Sequence, residues 1–171
     1  MYIINNINNI IYSKFKQKMK TYITGYFYKK LDKFILNVKF KIPNNGITFI
    51  MGHSGSGKST LLKCISGITK PNIGFLNINK NCLQNSKKNI FIKPEKRNIS
   101  LIFQSPYLFP HMSIIENLKF GFNRTKETEK KINIEEVINK LKLNKLIKKK
   151  TYNLSGGETQ RITIGQSLLS S

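Results

Sequence analysis

The run Gly52-His53-Ser54-Gly55-Ser56-Gly57-Lys58-Ser59-Thr60 follows the spacing G-x-x-x-x-G-K-[ST]. That spacing suits a polyphosphate. Glycines let consecutive backbone N–H groups turn inward around an anion, and a helix opening at Lys58 would add the positive end of its dipole. Lys58 would then reach the β- and γ-phosphates, and the Ser59 hydroxyl is placed to ligate Mg²⁺. A second block, Leu154-Ser155-Gly156-Gly157-Glu158-Thr159-Gln160-Arg161, puts a glycine pair at a helix start, another anion-binding geometry. Alone it would be weak, because Ser-Gly-Gly is common in loops. The histidines, His53 in the glycine run and His111 in Phe-Pro-His-Met, have no adjacent carboxylate to orient them and read as bystanders.

The elements that must position these residues are legible from periodicity. Phe34, Leu36, Val38, Phe40 and Ile42 alternate with mostly polar residues, a half-buried strand, and Pro43-Asn44-Asn45-Gly46 makes a turn. The apolar run Ile47 to Met51 predicts a buried strand leading into the glycine loop. Leu61, Leu62, Cys64 and Ile65 then fit one face of a helix that Gly67 can end. Ile73 to Ile78 and Ile99 to Phe103 read as further strands joined by a polar, Lys-rich connector, and Gln104 closes the second. Ser113 with Glu116 is a capping box ahead of a helix. Ile134 to Leu146 predicts another helix, with Lys148-Lys149-Lys150 as a solvated end, and a last helix begins at Gly156 or Gly157. The low-complexity opening predicts a disordered extension over residues 1–20, or a true start at Met19; residues 21–171 form the domain.

A chain of 171 residues with 39% hydrophobic content supports one globular core. Lys and Arg outnumber Asp and Glu by 30 to 8, a net charge of +22. Lys is abundant while Arg is scarce, and Ile and Asn are plentiful where Ala is absent, which points to codon drift rather than a dedicated nucleic-acid surface. The charge still predicts salt-dependent, non-specific attraction to anions. Cys64 and Cys82 are too few for a disulfide framework, so a reducing cytoplasmic setting with free thiols is expected. No stretch has the uninterrupted apolar length of a membrane span.

With the glycine loop, Gln104 and Leu-Ser-Gly-Gly-Glu in this order, the chain resembles the ATP-binding subunit of ABC transporters over roughly Tyr22 to Leu169. The resemblance implies a P-loop NTPase of α/β class, with a parallel core sheet, an antiparallel β subdomain and a helical subdomain, incomplete at its C-terminus. It implies ATP and Mg²⁺ as ligands, with Gly52 to Thr60 as the Walker A loop. Ser59 and Gln104 would hold Mg²⁺, and Gln104 would also contact the attacking water. Leu154, Ser155, Gly156, Gly157 and Glu158 would serve as a signature offered to the nucleotide of a second ATPase subunit. Tyr28, with Phe27 and Tyr26 behind it, is the aromatic expected to stack on adenine. An integral membrane permease is the implied partner, holding the subunit at the inner face of the cell membrane.

Among such subunits, the phrases NNGITFIMGHSGSGKSTLL, IKPEKRNISLIFQ and YLFPHMSIIENLKFG are similar to molybdate-import ATPases. Relatives importing sulfate, iron or polyamines share much of this text, and Gln166 stands where Arg is usual. The family's Walker B Asp-Glu and switch His have no counterpart: Asp32 is the one Asp, and Glu158 is the last acid. An interrupted parallel sheet, marginal stability and aggregation are the expected consequences. The alternatives are a non-catalytic nucleotide-binding module that pairs with a complete subunit, and a basic nucleic-acid binder.

Overall fold

The computed structural model describes residues 2–3, 11–12, 22–32, 34–105, 107–124 and 132–170. They fall into two compact units, Met1–Arg97 and Asn98–Ser171. Of the expected 1–20 extension, the described pieces are β1 (Tyr2–Ile3) and β2 (Ile11–Tyr12), paired antiparallel; the remainder lies outside the described residues.

The first unit is built on a five-stranded antiparallel sheet: β3 (Tyr22–Leu31), β4 (Phe34–Pro43), β5 (Ile73–Ile78), β6 (Asn81–Asn85) and β7 (Ile90–Phe91), in the order β4-β3-β5-β6-β7. The alternation read in β4 is observed: Leu36, Val38 and Phe40 are buried while Ile35, Asn37, Lys39 and Lys41 are exposed. Register places Gly25 against Phe40 and Phe27 against Val38, so one face of the β3–β4 hairpin is the core face. Helix α1 (Lys58–Ser66) buries Leu61 and Cys64 in the same cluster as Phe27, Leu36, Val38, Phe40 and Leu76. Each such apolar side chain contributes about 1.5–3 kcal/mol by leaving water. Strand β3 escaped the periodicity because tyrosines on its outer face blur the alternation, and β6 lay hidden in the polar connector.

The second unit is helical: α2 (Ile114–Arg124), α3 (Ile134–Lys140) and α4 (Gly156–Leu169). Ile114, Leu118, Val137, Leu143 and Ile162 are fully buried in its core. The capping box at the start of α2 is present, with Ser113 N–H donating to Glu116 Oε2 at 2.6 Å and Glu116 N–H to Ser113 Oγ at 3.2 Å. Asn117, buried at the foot of α2, accepts from Phe109 N–H and donates to three carbonyls, fixing the Phe-Pro-His-Met turn against the helix. The helix expected to reach Leu146 stops at Lys140, because Lys142 adopts φ +53° and turns the chain.

The parallel core sheet is a correction. Every strand pairing among the described residues is antiparallel. Ile47 to Met51 and Ile99 to Phe103 are not strands. Ile47, Phe49 and Met51 are 80%, 68% and 56% exposed, and Ile102 and Phe103 are also exposed. A strand exists through its ladder, and a parallel strand of this apolar kind needs cover on both faces. Neither segment has a pairing partner among the described residues.

Candidate functional site

The glycine loop is shaped by two residues in the left-handed region, Gly55 at φ +81° and Gly57 at φ +87°. At Gly57 the requirement is double. A Cβ there would stand 2.7 Å from Phe34 Cε1 and 3.2 Å from Leu36 Cδ1, so the loop lies directly on the core face of β4. A small apolar recess lined by Leu36, Val38, Ile50 and Leu61 continues beneath it.

Lys58 opens α1, and its ammonium folds over the loop. It donates to Gly52 O at 2.9 Å, His53 O at 2.7 Å and Ser56 Oγ at 3.4 Å. Ser56 N–H donates to His53 O at 3.3 Å, tightening the same turn. The helix has neither a side-chain N-cap nor an acidic residue in its first turn. Its first turn therefore holds no carboxylate that would compete with an anion beside the Lys58 ammonium. Gly52, His53, Ser54, Gly55 and Ser59 are exposed, while Thr60 is half-buried. These groups fit a polyphosphate: amide donors and an ammonium for the anion, and an accessible Ser59 hydroxyl for a divalent cation. Among the described residues, no group of three or more His, Cys, Asp or Glu could hold a metal by itself.

Tyr28 is not brought to this loop. It pairs with Asn37, whose side chain is exposed, and so lies on the face of β3 opposite Leu36 and Val38. Tyr26 shares that outer face, and Phe27 is sealed in the core. The ring that touches the loop is Phe34, which no adenine expectation singled out. The signal was available: β4 alternation alone puts Phe34 on the same face as Leu36.

In the second unit the Leu154 to Glu158 block forms the start of α4. Ser155 is its N-cap, accepting from Glu158 N–H at 3.3 Å, while Ser155 N–H donates to Glu158 Oε2 at 2.8 Å. Lys149 Nζ donates to the other carboxylate oxygen at 2.9 Å. The Lys149 hydrogen bond first, then that from Ser155 N–H, holds the Glu158 carboxyl down at about 2. Ser155, Gly156 and Gly157 are exposed, with open space where a Cβ on either glycine would stand. Leu154 is half-buried against the helical core. Lys149 is thus not merely part of a solvated lysine run. Nine residues of sequence separate it from Glu158, and no local spacing rule joins them. Gln104 is exposed in the irregular stretch that replaces the expected strand.

The profile of the ABC transporter family matches residues 35–171. The chain belongs to the ABC transporter family. It is 40% identical over 149 residues to the molybdenum import ATP-binding protein ModC of Hahella chejuensis, covering 87% of this chain and 41% of that protein. It is 38% identical over 138 residues to ModC of Pseudomonas aeruginosa, covering 81% of this chain and 38% of that protein. The chain therefore spans about two-fifths of the length of these curated relatives. Among solved structures it is similar to the ATP-binding cassette MJ0796, a dimeric post-hydrolysis state bound to ADP and Pi. That match has a TM-score of 0.66 and 24% identity over 86% of this chain and 69% of the other. The ABC-ATPase fold is thus present in part, as an antiparallel sheet with the phosphate loop and a helical unit. No helix among the described residues is long and apolar enough to cross a membrane.

Proposed function

We propose that the chain is the N-terminal, nucleotide-binding portion of the ATPase subunit of an ABC importer, with molybdate as the transported anion. The observation that carries the nucleotide reading is the phosphate loop: two left-handed glycines, an uncapped helix start and the Lys58 ammonium converge on one place. In this reading Lys58 exchanges its contacts with Gly52 O and His53 O for phosphate oxygens, and the amides of residues 52–60 close around them. The Ser59 hydroxyl would hold Mg²⁺, which neutralises phosphate charge. Phe34 replaces Tyr28 as the aromatic on the loop's side of the sheet.

Leu154, Ser155, Gly156, Gly157 and Glu158 would meet the nucleotide of a second ATPase subunit. Glu158 would serve there as a cap that orients Ser155 rather than as a base, since Lys149 and Ser155 hold it ionised and occupied. The Gln104 to Gly121 region would face an integral membrane permease, placing the subunit at the cytoplasmic side of the membrane. Molybdate is supported by the two ModC relatives, one on each side of 39% identity.

Turnover needs a carboxylate near the γ-phosphate to orient water. Binding of Mg-ATP is the step that the glycine loop itself supports. Calorimetry with Mg-ATP on a sample verified as folded tests this: heat of binding that Lys58→Ala abolishes supports the reading. No heat from the folded wild type, or heat that Lys58→Ala leaves unchanged, defeats it.

A further inference from the structure

The most buried charge of the first unit lies outside the loop. Arg97, the last residue of Pro94-Glu95-Lys96-Arg97, is 4% exposed, and its acceptors are all carbonyl or amide oxygens. Its Nη1 donates to Cys64 O at 3.2 Å and Ile65 O at 2.8 Å in the last turn of α1, where Gly67 N–H also donates to Cys64 O at 3.2 Å. Its Nε donates to Ile92 O at 2.7 Å, just beyond β7, and Nη2 lies 3.4 Å from Gln84 Oε1 on β6. The guanidinium also stacks over Phe91, 4.8 Å from the ring centroid. Gly67, at φ +84°, leaves the room: a Cβ there would collide with Arg97 Nε and Cζ.

One planar group thus ties the far end of α1 to two strands, and α1 is the helix whose near end carries the phosphate loop. The apolar contacts of Leu61 and Cys64 hold α1 on the sheet but tolerate sliding and rotation. Hydrogen bonds in a fixed fork do not. The near end has no side-chain cap to set its direction. At about 1.5 Å per residue the helix is a rod of roughly 13 Å, so a tilt at its C-terminus is transmitted to the loop.

We infer that Arg97 is a positioning residue for the phosphate loop, registering α1 against the sheet so that Lys58 and the loop amides point at the bound phosphates. This rests on the nucleotide reading above. Burial disfavours the charge, so the guanidinium is held in place by the oxygens it satisfies, which an apolar replacement would leave short of a donor.

The test compares Mg-ATP dissociation constants of the full chain as wild type, Arg97→Gln, Arg97→Lys and Phe40→Leu, each below its own melting temperature by circular dichroism. Phe40→Leu loosens the same core at the β3–β4 pair, opposite Gly25. Arg97→Gln should bind at least about tenfold more weakly, given how steeply misplacement of a binding group is penalised. Arg97→Lys should fall between it and wild type, and Phe40→Leu should lower the melting temperature while keeping affinity within about twofold of wild type. Equal affinity in wild type and folded Arg97→Gln would overturn the proposal, as would an equal loss in Phe40→Leu. If Arg97→Gln does not fold, Arg97→Lys decides by the same comparison. Absence of binding in the wild type itself would instead remove the nucleotide reading on which the proposal stands.

Discussion

Single residues at the loop carry opposing demands that a substitution separates. Gly57→Ala adds a methyl toward Phe34 and Leu36 and forces a side chain into φ +87°, so it should cost about 1–3 kcal/mol, read as a lowered midpoint in a thermal melt. Cys64 offers a second check. Burial pushes its thiol up to about 11, with the Lys29 and Arg97 charges pulling weakly the other way. At pH 8 a thiol reagent should label half-buried Cys82 first and reach Cys64 only after unfolding. Cys64 also gives a sign to alkaline stability: above pH ~9 the unfolded chain ionises a group that the folded chain keeps protonated until about 11, so stability falls across that interval. The loop's two left-handed turns were legible in the spacing, because they fall on Gly55 and Gly57 and glycine adopts that conformation without strain. The face on which Tyr28 stands was not, since it depends on the register of β3, which its own tyrosines obscure. Arg97 lies in the segment IKPEKRNISLIFQ, yet nothing local tells a buried arginine from an exposed one.

At the scale of elements, the start of α4 joins three residues into one cap. Ser155→Ala should cost about 1 kcal/mol of stability in the helical unit, measured by denaturant unfolding. The Glu158 carboxyl sits at about 2 when folded against an ordinary 4.5, so its contribution is present at neutral pH and fades as pH falls from about 4.5 toward 2. Lys149→Met should move the Glu158 titration upward in a carboxyl NMR experiment; an unmoved value would mean the ion pair does not form in solution. The start of α2 was legible from its capping box, because capping is local; α4 was read from its glycine pair, and its own box of Ser155 with Glu158 emerged only in the structure. Ile47 to Met51 and Ile99 to Phe103 were not, because an apolar run reports that a segment can be buried in a sheet, whereas strand formation depends on a neighbour elsewhere in the sequence.

For the whole molecule, a net charge of +22 and a row of exposed apolar side chains act against each other. Charge repulsion keeps copies apart in dilute salt, and screening above about 0.1 M shortens its reach to roughly 10 Å, leaving Ile47, Phe49 and Met51 free to associate. Light scattering should therefore rise with added salt, and Phe49→Lys should shift that onset to higher concentration. The same stretch has a different consequence for chain integrity. Peptide bonds outside a ladder, beside an accessible aromatic ring, are what an endoprotease needs. Chymotrypsin should nick after Phe49 before it reaches Phe27 or Phe40, releasing a fragment that begins at Ile50. If the glycine loop grips a nucleotide, that first cut should slow in its presence, turning a digestion time course into a clock for occupancy.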